Sequence, residues 1–127
     1  MRPSHFAKYQ LPLFLWLLLI FSISAIPSVP AVKFPVSPDK IAHFFIYFVL
    51  CMLSKRAFYN QEKWLWLREH SLLAALLFTV AYGALDEVHQ IYVPGRSADL
   101  YDALADALGA SLFGGWAWYS ARSRARA

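Results

Sequence analysis

One cysteine, Cys51, is all that the 127 residues contain, which excludes an intrachain disulfide and any metal cluster of the multi-cysteine kind. Cys51 lies inside an apolar stretch, where a free thiol behaves as a small packing residue. Charge is also scarce: 16% of residues are charged against 59% hydrophobic and 17% aromatic, and the mean hydropathy is +0.42. A soluble domain of this size needs a charged shell, whereas here the apolar residues fall into runs of the length that a bilayer demands. The net charge of +4 does not point to nucleic acid. The basic residues sit in short segments flanking the apolar runs, where orientation and lipid headgroups place them.

The pattern predicts an all-α fold, a polytopic membrane protein with four transmembrane helices at about 11–26, 39–58, 71–90 and 98–119, forming one domain over 1–127. The first run follows Arg2 and Lys8. Ser24 and Ala25 are small residues of the kind found at a signal cleavage site, but the run is longer than a typical signal core, so an uncleaved helix is expected. Either outcome delivers residue 27 onward to the same side. Lys55 and Arg56 can snorkel from the second helix, and Trp64 and Trp66 in the 59–70 linker suit a headgroup boundary. After the Pro94-Gly95 turn, Ser97 is the expected N-cap of the fourth helix. Nine of the twelve Lys and Arg residues fall at the N-terminus, in the middle linker with its flank, and in the tail with Arg122, Arg124 and Arg126. Lys33, Lys40 and Arg96 occupy the other two connections. This asymmetry predicts cytoplasmic termini, with the 27–39 and 91–97 connections outside.

Six of the eight acidic residues, Asp39, Asp86, Glu87, Asp99, Asp102 and Asp106, then fall at the outer end of helices two, three and four, together with Lys40, His43, His89, Gln90 and Arg96. An ionisable group within a membrane helix costs about 2.5–3.5 kcal/mol, so such a cluster persists where its members pair, line a wet cavity or do work. Asp99, Asp102 and Asp106, at i, i+3 and i+7, share one helix face within an arc of about 60°. Ala103, Gly109, Ala110 and Gly114 let a neighbouring backbone approach that helix. Asp39, His43 and Tyr47 share a side of the second helix, and Glu87 and Gln90 share one with Gly83, so three polar faces are expected to converge. Asp86, His89 and Tyr82 occupy a neighbouring arc, in the pocket or at the interface. The structural alternative is that Asp39 and Asp99 merely cap their helices and that Asp39 pairs with Lys40. Arg96 is expected to pair with the carboxylates, although its planar fork also suits a substrate carboxylate or phosphate. His43 reads as a packed, hydrogen-bonded histidine. Its i+4 offset from Asp39 leaves a Zn or Mn site open, but no tighter ligand spacing is present, so neither metal nor cofactor is expected.

These residues carry a resemblance. The stretch Asp39-Lys40-Ile41-Ala42-His43-Phe44-Phe45-Ile46-Tyr47, and the block from Tyr82-Gly83-Ala84-Leu85-Asp86-Glu87-Val88-His89-Gln90 through Pro94-Gly95-Arg96 and Asp102 to Gly109, resemble the signatures of the VanZ-like family. The resemblance covers all four expected helices. It departs at Asp106, where the family more usually places asparagine; either Asp106 is protonated or the site differs from the commoner version. The family takes its name from a member associated with resistance to the lipid-tailed antibiotic teicoplanin, and the resemblance implies a bacterial inner membrane.

The function expected on these grounds is an outward polar pocket for the headgroup of an amphiphile. Its partners are membrane lipids or an amphiphilic small molecule, such as a lipid-linked precursor or lipidated antibiotic, with Arg96, Lys40 and His43 on the anionic part. Asp39, Tyr47, Glu87, Gln90, Asp99, Asp102 and Asp106 complete the expected binding set. The alternative is an intramembrane hydrolase or transferase with Glu87 or Asp102 as general base, His43 or Arg96 stabilising developing charge, and a role open for a divalent metal. No serine or cysteine nucleophile stands beside a histidine, which favours binding over catalysis. A proton or ion pathway is disfavoured because strongly polar residues stop at Asp106. The oligomeric state is left open.

Overall fold

The computed structural model describes residues 3–28 and 35–126, which form six helices and no strand. They are α1 (Pro3–Tyr9), α2 (Leu11–Ser24), α3 (Pro38–Asn60), α4 (Leu65–Glu69), α5 (Ser71–Gln90) and α6 (Leu100–Arg126). Lys33, counted above with the outer connections, lies outside the described residues, as does Arg2.

Pro12 explains the break between the first two helices. It has no N–H to continue the ladder, yet Gln10 keeps a right-handed helical backbone, donates to the Phe6 carbonyl and accepts from the Phe14 N–H. The expected first helix is thus shorter at its far end, stopping at Ser24, and is preceded by a helical turn region that the sequence pattern did not separate from the basic stretch. The third expected helix coincides with α5 and the second extends by a residue or two to α3. The fourth differs at both ends. It starts at Leu100, because the Asp99 carboxylate, not Ser97, caps it by accepting the Tyr101 N–H at 2.9 Å. It continues to Arg126, since the Arg/Ala-rich tail consists of strong helix formers.

Helices α3, α5 and α6 pack together, with α2 laid against α3 and α5. The buried apolar residues form two clusters, one around Leu13, Ile20, Tyr47 and Leu50, the other around Cys51, Ala75, Ala110 and Phe113. Cys51 is fully enclosed there. Side-chain bonds attach α2 and its N-cap to the rest: Gln10 Nε2 donates to the Ala57 carbonyl, Trp16 Nε1 to Ile46 and the Tyr82 hydroxyl to Leu17. The α3–α6 crossing depends on Gly109, since a Cβ there would overlap the Phe44 carbonyl oxygen.

Polarity is distributed inside out. Lys40, Asp86, Glu87, Gln90, Asp99, Asp102 and Asp106 are buried, while Leu18, Phe45, Leu77, Leu85, Leu108 and Trp116 are exposed. Two helices, α3 and α5, are long and apolar enough to cross a membrane. By the same measure α2, with 14 residues, is short, and α6 does not qualify, so two of the four expected spans meet it among the described residues.

At the crossing, Gly109→Leu is expected to destabilise the fold by about 1–3 kcal/mol through overpacking. Gly115→Ala, at a position with open space around the added methyl group, is expected to be neutral or to stabilise by up to about 1 kcal/mol. Unfolding of the purified protein in detergent measures both, and equal effects would contradict the close approach.

Candidate functional site

The site gathers where α3 and α6 begin and α5 ends. Both helix N-termini favour negative charge, and both carry it: Asp39 in the first turn of α3, Asp102 in that of α6. Asp39 itself is largely exposed and bonds the Ser37 hydroxyl.

Lys40 is the centre of the arrangement. Its ammonium lies 2.7 Å from Asp102 Oδ1, 2.9 Å from Asp99 Oδ2 and 3.2 Å from Asp39 Oδ2. An ammonium has three N–H donors, and each has a carboxylate. Lys40, and not Arg96 as expected, is thus the partner of the acidic stripe. Among the described residues no ion pair joins Arg96 to a carboxylate; its Nε donates to the Ile26 carbonyl at 2.8 Å. The reason is local. Val93-Pro94-Gly95-Arg96 forms a tight turn, with the Arg96 N–H on the Val93 carbonyl and Gly95 at φ 76°, the backbone that glycine permits after proline in a type II turn. Ser28 holds this turn through its N–H to Pro94 and its hydroxyl to Gly95. Arg96 therefore emerges beside the end of α2.

One turn deeper, His43 Nδ1 is 2.9 Å from Asp106 Oδ1, while its Nε2 is 4.0 Å from Asp102 Oδ2. Tyr47 stacks parallel to the His43 ring at a centroid distance of 6.1 Å. From α5, Glu87 Oε2 accepts the Asp99 N–H at 2.7 Å, joining the end of one helix to the cap of the next. Gly83 makes room for α6: a Cβ there would stand 2.9 Å from Asp106 Oδ2 and 3.2 Å from the Tyr47 ring. Gln90 donates to the Ser24 hydroxyl at 3.4 Å.

Among the buried side-chain atoms without a hydrogen-bond partner among the described residues are Glu87 Oε1, Asp106 Oδ2 and the Tyr47 hydroxyl. Leaving such a group unsatisfied costs about 1–3 kcal/mol, more where it is charged. His43, Glu87 and Asp106 each offer a ligand atom, all within 4.8 Å of one another. The metal geometry left open from the sequence paired His43 with Asp39; the structure pairs it with Asp106 and Glu87 instead.

A cavity of about 50 Å³ lies alongside, lined by the polar residues Ser24, His43, Tyr47, Asp86, Gln90 and Arg96 and by Ile20, Ile23 and Ile46. Asp86 therefore belongs to the pocket wall. His89 does not; it stacks on Phe21 at 4.7 Å and borders a second, more open recess of about 210 Å³ with Tyr82, Leu85 and Asp86. Ile20, Ile23 and Ser24 bring α2 into the wall, which sequence reasoning missed because it read the first helix only as an apolar run with small residues near its end.

The VanZ/LLP1 family matches residues 5–121, nearly the whole chain and every element described above. The chain belongs to this family. It is also similar to the uncharacterized protein C11E3.10 of Schizosaccharomyces pombe, 32% identical over 114 residues that cover 88% of this chain and 67% of that one. No solved structure matches.

Lys40→Met, which removes the ammonium but keeps the stem, is expected to cost about 3–5 kcal/mol of stability because buried carboxylates lose their counter-charge. Asp39→Asn, at the exposed edge, is expected to cost no more than about 1 kcal/mol. Comparing the two unfolding midpoints checks this, and equal losses would contradict the central place given to Lys40.

Proposed function

We propose that this VanZ/LLP1-family chain is a single-domain, multi-pass membrane protein, with both termini on the cytoplasmic side and α2, α3, α5 and α6 crossing the bilayer. Its site end faces outward and receives the headgroup of an amphiphile, an envelope lipid or a lipidated antibiotic. The inside-out polarity supports the membrane setting. So does the opposite end, where Arg56 lies over the Tyr9 ring, Arg68 over Tyr59 and Arg122 over Trp118, the pairing of cations and amphipathic rings found at a headgroup boundary. The bacterial cell membrane belongs to the same proposal.

The observation that carries the binding reading is Arg96 at the edge of the cavity. Its Nε is fixed on Ile26, and its terminal nitrogens have no hydrogen-bond partner among the described residues. A guanidinium held in place by one bond, with its planar fork open, is suited to phosphate or carboxylate. Ile20, Ile23 and Ile46 line the same cavity, so it offers apolar as well as polar surface to one ligand. Lys40 is not available for this task because three carboxylates hold it, and His43 is engaged by Asp106. The anionic contact of the earlier expectation thus narrows to Arg96. A cavity of about 50 Å³ has space for a few waters, so the tip of a headgroup enters and the rest stays at the mouth.

A second reading has its own support: Glu87 presents an unpartnered, buried carboxylate oxygen near a His–Asp pair, a pairing suited to general acid–base work on a lipid-linked substrate.

In nanodiscs, Arg96→Ala is expected to weaken binding of anionic lipids or teicoplanin by about tenfold or more, the loss of a charge-assisted bidentate contact. Unchanged binding of every ligand tried would contradict the binding reading, and turnover of a lipid phosphate that vanishes in Glu87→Gln would replace it with the catalytic one.

A further inference from the structure

We propose that His43, Glu87 and Asp106 bind a divalent transition-metal cation, Zn²⁺ or Mn²⁺, between α3, α5 and α6. Three independent features converge on this position. The first is geometry: one nitrogen and two carboxylate oxygens lie within 4.8 Å of one another, drawn from three different helices. Ligands bound at about 2.1 Å to one tetrahedral ion stand about 3.4 Å apart, so the cluster closes on an ion through modest side-chain movement.

The second is the pair of orphaned oxygens. Glu87 and Asp106 are more than nine-tenths buried, and each has one oxygen bonded and the other, Oε1 and Oδ2, without any partner. Buried polar atoms in folded proteins are almost always satisfied, and exceptions mark an ion, a water or a catalytic role. The nearest cation cannot serve them, since the three N–H donors of Lys40 are taken by Asp39, Asp99 and Asp102. A 2+ ion neutralises the two carboxylates and fills both vacant lone-pair positions at once.

The third is the surroundings of His43. With Nδ1 turned toward the Asp106 carboxylate and Nε2 on the side of Asp102 Oδ2, the ring has a ligand nitrogen facing the cluster and a second carboxylate behind it. The order of groups is that of the carboxylate–histidine–metal arrangement, with Nε2 at 4.0 Å from Asp102 Oδ2 needing a shift of about 1 Å to donate. The mixed nitrogen and oxygen set favours Zn²⁺ or Mn²⁺ over Ca²⁺, which takes six or more oxygens. Gly83 keeps the position open, because a side chain there would press on Asp106 Oδ2.

The inference does not depend on Arg96 or on any headgroup, so each can fail alone. The test uses the whole chain in detergent, stripped with chelator, then loaded with Zn²⁺ or Mn²⁺, desalted and assayed for bound metal and for the shift in melting temperature. Wild type is expected to retain about one ion per chain and to melt higher when loaded. Glu87→Gln and Asp106→Asn, each checked for helicity so that a folded one carries the comparison, are expected to bind at least about tenfold more weakly with little thermal shift. Glu62→Gln, at the exposed opposite end, is expected to match wild type. Wild type that holds neither metal, or a folded Glu87→Gln or Asp106→Asn variant that binds as tightly as wild type, would overturn the proposal.

Discussion

The Lys40 ammonium, placed among Asp39 on its own helix and Asp99 and Asp102 at the start of α6, sets the geometry of everything around it. It fixes α3 against α6 at one end while Gly109 allows the same two helices to meet along their length. With both ends determined, Asp106 is brought under His43, and Asp99 is held where its N–H reaches Glu87. The α5 helix is thereby joined to the cap of α6. Charge, not apolar packing, forms this end of the bundle. Buried ion clusters of this kind contribute little net stability relative to a well-packed apolar core, yet they are costly to break, and that asymmetry imposes one arrangement of the helices.

The remainder of the fold supports that cluster by an unusual partition of polarity. Small and apolar residues, Cys51, Ala75, Ala110 and Phe113, fill the space between α3, α5 and α6 below the site, while large aliphatic and aromatic side chains look outward. An outer surface this rich in large exposed apolar side chains is of the kind that marks an interaction or membrane-facing surface. The same setting makes the inner polar groups expensive, and so the two carboxylate oxygens without partners among the described residues, Glu87 Oε1 and Asp106 Oδ2, are the most informative feature of the site.

Much of this arrangement was legible in the sequence, for identifiable reasons. The i, i+3, i+7 spacing of Asp99, Asp102 and Asp106 fixes a shared face whatever the tertiary context, and the extent of α5 followed from its apolar run and flanks. Less was legible where a choice between similar groups depends on three-dimensional approach. Two cations, Lys40 and Arg96, stand near the carboxylates in sequence terms; the Pro94-Gly95 turn directs one toward α2 and leaves the other inside, and spacing alone does not reveal that. Ser97 and Asp99 are both able to cap a helix, and the bond from Asp99 N–H to Glu87 helps place the start at Leu100. The extension of α6 was missed because its tail was counted only as a basic flank of the fourth span, although arginine and alanine are good helix formers.

The dependence of the site on the Lys40 cluster is tested most directly by a double-mutant cycle between Lys40→Met and Asp102→Asn, read as unfolding free energies in detergent. A direct buried contact predicts a coupling between about 1 and 3 kcal/mol, with the double variant less damaged than the sum of the singles. Additivity within about 0.3–0.5 kcal/mol would show that the two side chains do not form the pair on which this account of the site is built.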